Sequence, residues 1–303
     1  MRNLTKNLKE SFNNWIINLK WESRKIKELL FPEPLENWKK KKTSGISIMN
    51  LNLRSDKIED KDNGWIYRRD SIVKMIKDKC PDIICCQESW SHMVQFLRSK
   101  IGCNYECYGI STFTGKRLDK TLSVTMGNII FYDKNKFDLD EADVFWLSET
   151  PHKLSESWES EEPRNCVVIK LLHKKTGKYY TIFNTHFDHV STQARNNSAE
   201  LVMSMSKTMG FGNTFIVGDL NAKISNKELK PFKDLSYYPR EGSVKTTFNG
   251  FRTNKKTICD YIISLNNEKT DYMFEQITDG YGVPYLTDHY PMMVVVPMMV
   301  VVI

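Results

Sequence analysis

From Gly45 onward the chain keeps one habit, and that habit limits its fold more than any other feature: short apolar runs of strand length stop on polar or charged residues. Runs at 46–53, 82–86, 128–132, 166–172, 179–185, 214–217 and 261–265 read as strands. Residues 82–86 are apolar almost without interruption, as expected of a strand covered on both faces. Between the runs, 65–79 reads as a helix with Ile72, Val73 and Ile76 on one side, ended by Pro81. Residues 92–101 and 193–208 also read as helices. Many strands with a few helices between them predict sheets covered by helices.

The first 44 residues have another texture. Leu4, Leu8, Phe12, Trp15 and Leu19 recur at helical spacing among Lys and Asn, and Ile26 and Leu30 extend the stripe. Phe31-Pro32-Glu33-Pro34 breaks the helix, and a lysine run follows at 39–42. Residues 1–44 are therefore expected to form a basic amphipathic extension and linker ahead of a main domain at 45–303. Two readings stay open. The helix either touches a membrane, nucleic acid or partner, or packs on the outside of the core with the lysine run as a solvated linker. At the other end Pro-Met-Met-Val-Val-Val occurs at 291 and again at 297; the first copy reads as a strand and the second, 297–302, as surplus to the fold.

Hydrophobic residues make up 40% of the 303, enough for a substantial core. The net charge of +7 and pI near 8.9 suit a polyanionic partner, either nucleic acid or an anionic membrane surface. Seven cysteines, with Cys85 and Cys86 inside an apolar run, argue against a disulfide framework. Cys103 and Cys107 lack a second Cys or His pair, so a zinc site is not expected. No stretch near the N-terminus resembles a signal peptide and no internal run is long enough to span a bilayer. The expectation is a soluble, intracellular, monomeric protein.

Chemistry gathers where the runs end, which is where α/β proteins place their sites. Asn52 follows one run, either as a turn former or as a ligand. Gln87-Glu88 follows 82–86; a carboxylate at the mouth of a buried strand needs an ion pair or a metal, and one Glu suits a hydrated Mg²⁺. Asn184-Thr185-His186-Phe187-Asp188-His189 follows 179–183, and an imidazolium there would stabilise charge growing on a phosphoryl group. In Gly218-Asp219-Leu220-Asn221 the alternating carboxylate and amide can face one side, the first to orient water and the second to hold it. Asp260 and the pair Asp288-His289 complete the series. An Asp beside a His can bind metal, and a second Asp can fix the His tautomer and raise its pKa.

Taken in order, these motifs resemble the endonuclease/exonuclease/phosphatase superfamily, over about residues 46–296. The matching segments are 49–54, 81–89, 128–132, 183–190, 215–221, 247–251, 259–263 and 287–291. Residues 145–151, with Trp158 and Arg164 following, and 247–251 look like a compact bacterial-type branch. The resemblance implies an α/β fold, a four-layer α/β/β/α sandwich of two packed mixed sheets flanked by helices. It also implies roles. Glu88 would bind Mg²⁺ or Mn²⁺ with support from Asn52 and Asp288. Asp219 would orient or deprotonate water and Asn221 would hold it. His289, oriented by Asp260, would contact the scissile phosphate, and His186 would stabilise phosphoryl charge. Asn128, Arg164 and Asn184 are read as substrate-binding positions.

The chain departs from the pattern in places. Many members carry a Glu just before the strand at 128–132, where this chain has Met126-Gly127-Asn128. Thr287 stands where Ser is usual, Asn249 where the similar branch often has His, and Arg117-Leu118-Asp119 only loosely matches the polar loop expected there. The leading functional expectation is a metal-dependent nuclease hydrolysing phosphodiesters in DNA or RNA. The alternatives are a phosphatase or phospholipase, sphingomyelinase-like or inositol-phosphatase-like, acting on a small phosphorylated lipid or sugar, with residues 1–44 as a membrane contact, and a non-catalytic polyanion-binding scaffold.

Overall fold

The computed structural model describes residues 2–40, 45–252, 254, 257–266 and 272–297, with the side chains of the first helix from residue 14. In chain order the elements are α1 (Arg2–Leu30), β1 (Ile46–Asn52), α2 (Trp65–Lys79), β2 (Ile83–Trp90), α3 (Ser91–Ile101), β3 (Tyr105–Ser111), β4 (Met126–Asp133), β5 (Phe137–Trp146), β6 (Asn165–His173), β7 (Tyr179–His186), α4 (Thr192–Met209), β8 (Asn213–Asp219), β9 (Ser236–Tyr238), β10 (Asp260–Ser264), β11 (Met273–Gln276) and β12 (Met292–Val296), with short 3-10 turns at Ile58–Asn63 and Lys227–Phe232. They form two mixed six-stranded sheets, ordered β11-β12-β1-β2-β4-β3 and β5-β6-β7-β8-β10-β9.

Three hydrophobic interfaces hold four layers together. Between the sheets, Ile46, Ile48, Ile83 and Cys85 meet Val167, Ile169, Ile182 and Phe215. On the outer face of the first sheet, Met49, Leu51, Ile84 and Cys86 pack under Trp65, Ile72 and Ile76 of α2 and Met93 and Leu97 of α3. On the outer face of the second, Val168, Phe183 and Ile216 pack under Ala199 and Val202 of α4. Successive side chains of a strand point to opposite faces, so Ile83 and Cys85 serve one interface while Ile84 and Cys86 serve the next. That explains the unbroken apolar run. Each such fully buried side chain contributes about 1.5–3 kcal/mol. The α/β/β/α sandwich is the fold expected from the sequence.

The N-terminal segment differs from its expectation in two ways. Helix α1 does pack on the body, but not through its apolar stripe. Trp15, Leu19, Ile26 and Leu30 are 45–56% exposed, whereas Lys25 and Leu29 are buried. The docking face is instead ionic and aromatic. Arg24 Nη2 donates to Asp56 Oδ2 (2.6 Å), Arg69 Nη1 to Glu28 Oε1 (2.9 Å), and Lys25 stands over the Trp90 ring (4.8 Å to its centre). The lysine run, expected to be a solvated linker, is not wholly one. Lys40 Nζ is inserted between Asp82 Oδ1 (3.0 Å) and Asp133 Oδ2 (2.8 Å), an ion triad that ties the segment to β2 and β4. Leu4, Leu8 and Phe12 as side chains, Lys41, Lys42 and the second repeat at 298–303 lie outside the described residues.

Candidate active site

Topology brings the polar strand ends to one edge of the sandwich. Strands β1 and β2 run parallel, with Asn52 opposite Gln87, and β7 and β8 run parallel, with His186 opposite Asp219. Strand β10 is antiparallel to β8, so its first residue, Asp260, pairs with Asp219. Residues 287–289 enter the same edge just before β12, where Thr287 Oγ1 donates to Asn52 O (2.8 Å) and the buried Arg68 donates to Leu286 O and Leu53 O.

Local backbone departures aim the side chains. Glu88 sits at φ +52° beside a bulge between Cys86 and Ser89, and Asn221 sits at φ +50°. A left-handed conformation is costly for a residue with a side chain and concentrates at functional sites. Gly218 is required because a Cβ there would fall 1.9 Å from Thr185 O.

Glu88 Oε2 accepts from Ser55 N (2.8 Å) and Ser55 Oγ (2.7 Å), and Glu88 Oε1 from Asn52 Nδ2 (3.1 Å). Asn52 Nδ2 also reaches Asp219 Oδ2 (3.2 Å), and Asp219 Oδ1 accepts from Asn221 N (2.9 Å). The Oδ2 of Asp219 lies 3.6 Å from both His186 Nε2 and His289 Nε2. His289 Nδ1 donates to Asp260 Oδ2 (2.8 Å), and Asp260 Oδ1 accepts from Asn50 Nδ2 (3.3 Å). Asp288 Oδ2 is 3.4 Å from Arg54 Nη1. Arg54, Ser55, Glu88, His186, Asp219, Asn221, Asp288 and His289 line a cavity of about 400 Å³ whose walls include Lys57, Trp90, Phe113, Glu162, Arg164 and Phe248.

The protonation states divide the labour. Burial, then the neighbouring Asp260, pushes the Asp219 carboxyl up to about 7, although His289 pulls the other way. Burial pulls the His289 imidazole down, but Asp260, Asp219 and Asp288 together hold it well above its usual range, as a cation. Glu88 is held below the usual carboxylate range: burial opposes this, but both Ser55 donors and Arg54 outweigh it. Asp288 is raised, by burial first and then by Glu88.

His186, expected as an imidazolium, sits among groups that disfavour its charged form. Burial and the adjacent Arg164 push its pKa down to about 3. Its two ring nitrogens face donors, Arg164 Nη1 at 3.3 Å from Nδ1 and Asn221 Nδ2 at 3.1 Å from Nε2, an environment that a doubly protonated ring cannot satisfy. The fixed positive charge on this side of the cavity belongs to Arg164. Gly127 could not carry the Glu of many family members, because any Cβ there would fall 2.1 Å from Ile110 O.

Asn52 and Asp260 do not line the cavity but hold residues that do, whereas Asn184 and Asn128 have no such link. Asn184 is wholly buried: its Oδ1 accepts from Gln87 Nε2 (2.7 Å), and its Nδ2 donates to Cys86 O and Ile129 O (both 2.9 Å). Asn128 Nδ2 donates to Asn165 O (2.9 Å) and Asn165 Oδ1 (3.0 Å). Both are spent on tying strands and sheets together. Conversely, sequence reasoning passed over Ser55, Lys57 and Glu162, which sit in loops with no motif of their own. Arg54 was quoted only as the end of a run.

The donor chemistry fits a hard divalent cation. Glu88 and Asp288 bring two carboxylates to one cavity, the second raised by burial and then by the charge of the first, and oxygen donors of this kind suit Mg²⁺ or Mn²⁺. Asp219, Cys259 and His289 also present donor atoms within 4.8 Å of one another. That trio is the poorer candidate, because His289 Nδ1 is committed to Asp260 and burial keeps the Cys259 thiol protonated.

A sandwich of two mixed sheets between helices, with carboxylates, imidazoles and amides at one edge, is the framework of phosphoester hydrolases. The chain carries the endonuclease/exonuclease/phosphatase fold, and its solved structural neighbours are proteins of that family. One, from Bacteroides vulgatus, is described as an endonuclease/exonuclease/phosphatase; it is 26% identical, with 83% of this chain and 98% of that one covered at a TM-score of 0.71. Another, a mannosyl-6-phosphatase of Bacteroides thetaiotaomicron, is 27% identical over 82% of this chain and 98% of its own, at a TM-score of 0.69. An uncharacterized protein of Acanthamoeba polyphaga mimivirus is 30% identical over 132 residues, 41% of this chain and 46% of the relative, so the match spans about half that relative's length. No family model matches the sequence.

Proposed function

We propose that the protein is a divalent-metal-dependent phosphoesterase that hydrolyses the phosphate ester of a small phosphorylated sugar or lipid headgroup. The observation that carries this reading is the pairing, across one cavity, of a carboxyl poised near neutrality, Asp219, with two cations, His289 and Arg164. Asn221 and Asp219 orient a water molecule. As its oxygen bonds to phosphorus, Asp219 takes the proton. His289, held by Asp260, and Arg164 meet the negative charge that grows on the non-bridging oxygens, while the bond from phosphorus to the ester oxygen breaks and that oxygen, leaving with its electron pair, takes a proton from solvent to give the alcohol. A Mg²⁺ held by Glu88 with Asn52 and Asp288 would polarise the phosphoryl group and ease departure of the leaving oxygen.

Two observations favour a small substrate over a polynucleotide. A cavity of about 400 Å³ suits one phosphorylated ring. Residues 1–44 hold eleven of the 44 Lys and Arg and five of the 37 Asp and Glu, leaving 33 basic against 32 acidic residues in 45–303. Nucleic-acid grooves neutralise several phosphates in a row and need a marked basic excess. The mannosyl-6-phosphatase among the neighbours points the same way. The second reading, cleavage of nucleic-acid phosphodiesters, draws on Trp90, Phe113 and Phe248 around the cavity, because bases stack on such rings.

A panel of sugar phosphates, inositol phosphates, sphingomyelin, single- and double-stranded DNA, and RNA tests both readings. It is run with Mg²⁺, Mn²⁺ and EDTA and compares wild type with His289→Ala. Metal-dependent phosphate release from the small esters, lost in the variant, is the expected result. Cleavage of DNA or RNA alone would transfer the assignment to the second reading.

A further inference from the structure

Helix α1 is mounted with its apolar stripe facing away from the protein. Trp15, Leu19, Ile26 and Leu30 are spaced four, seven and four residues apart, which places them on one side of a helix, and they are 45–56% exposed. The surface continues past the helix end through Phe31 and Leu35, 74% and 66% exposed. The opposite side of α1 is the one consumed by the body, through Trp21, Arg24, Lys25, Glu28 and Leu29. Lys20 and Lys27, each one position after a stripe residue, are exposed along one border. Glu22, near the other border, is paired with Lys25 (2.9 Å).

The attachment is close to the active site. Asp56, almost fully buried, accepts from Arg24 and from His92 Nε2 (2.9 Å). Its chain neighbours are Ser55, which holds Glu88, and Lys57, which lines the catalytic cavity. Trp90, under Lys25, lines the same cavity.

We propose that α1 is a docking surface for an anionic membrane, in which Trp15, Leu19, Ile26 and Leu30 enter the interface and Lys20 and Lys27 meet lipid phosphates. A helix lying in the interfacial plane has this design: an apolar side away from its own protein, bordered by lysines. Charge complementarity selects the occupant. Six of the seven units of net positive charge fall in residues 1–44; Arg24, Lys25 and Lys40 are turned to the body, but Lys20 and Lys27 stand exposed beside the stripe, as a negatively charged surface requires and as a face-to-face pairing of two identical basic helices does not. Docking through α1 would hold the membrane on the side of the protein where Asp56 and Trp90 contact the helix. Vesicle binding needs no turnover, so this inference stands or falls apart from the phosphoesterase reading.

The test is co-sedimentation of the full chain with phosphatidylcholine vesicles, with and without phosphatidylserine. It includes Leu19→Glu/Ile26→Glu and Lys20→Glu/Lys27→Glu, with circular dichroism and light scattering on each. All four positions are exposed, so both variants fold. Expected are binding only when phosphatidylserine is present, its loss in the Leu19/Ile26 variant, and a fall of about fivefold or more per reversed lysine, weakened further by salt. The proposal is overturned if wild type stays in the supernatant, if either variant binds as wild type does, or if wild type is a dimer that the Leu19/Ile26 variant abolishes.

Discussion

Asn184 separates a structural account of the polar residues from a functional one. It lies within β7, two residues before the His186 that ends the strand, yet its side chain is fully buried between the sheets. Asn184→Ala removes three hydrogen bonds, one accepted from Gln87 and two donated to Cys86 O and Ile129 O. Gln87 keeps Asn50 as a partner (2.9 Å), and the two carbonyls belong to paired strands, so not every group is orphaned. A buried group left unsatisfied costs about 1–3 kcal/mol, and the loss here sums to about 3 kcal/mol. With a urea slope of about 3 kcal/mol per M, the unfolding midpoint should fall by about 1 M. Urea titration followed by circular dichroism measures it, alongside kcat and KM well below the midpoint, where both are expected to match wild type. An unshifted midpoint with a raised KM would refute this reasoning and make Asn184 a substrate contact.

Other perturbations address the cavity. Because burial and Asp260 raise the Asp219 carboxyl to about 7 and only its ionised form accepts a proton, kcat/KM should climb as pH rises through about 7; Asp219→Asn should erase that limb and cost about 10²–10⁴ in kcat. Asp260→Asn removes the strongest carboxylate support for protonated His289, so the fall of activity at high pH should begin at lower pH than in wild type; an unmoved limb would detach His289 from it. EDTA should abolish turnover and Mg²⁺ restore it, whereas Glu88→Gln should need far more Mg²⁺ for the same rate, read from metal titrations. Arg164→Met should raise KM about tenfold or more with stability little changed, given the worth of charge-assisted bonds to phosphate; an unchanged KM would leave Arg164 a partner of His186 alone.

The elements that the sequence revealed and those it hid differ in position. The central strands β1, β2, β4, β6, β7, β8, β10 and β12 were all legible as apolar runs. The four that escaped, β3, β5, β9 and β11, are the two edges of each sheet. An edge strand is paired on one side only and is often guarded with charge. In β5 the sequence FDLDEADVFW carries four acidic residues and a bulge near Leu139, with residues 138–141 exposed. Periodicity detects burial on a face, so a strand with little burial leaves little pattern. Helix α1 misled for a related reason. Its apolar stripe was real, but a stripe does not state what it faces, and Arg24, Lys25 and Glu28 make the contact with the body through ion pairs.

The site was legible as a set of strand ends, but not by depth, and depth decides what each polar residue does. Along β1 the inner-face residues are Ile48, Asn50 and Asn52; along β7 they are Ile182, Asn184 and His186. In both strands a hydrocarbon gives way to a buried amide and then to a residue of the site: His186 lines the cavity, and Asn52 holds its Glu88 and Asp219. Strand β2 repeats the start with Cys85 and Gln87, and the bulge after Cys86 then turns Glu88 in the next position toward the cavity, which plain alternation would forbid. Asp260, Asn50, Gln87 and Asn184 form one chain of hydrogen bonds across this middle layer. A core ending directly on ionised groups would leave charge against hydrocarbon, which is costly. The amide layer satisfies those groups on their inner side and fixes Asp260, and through it His289, in position. Two residues of the same type, two positions apart on one strand, therefore divide between scaffold and site, and the assignment follows from how far each lies from the open edge of the sandwich.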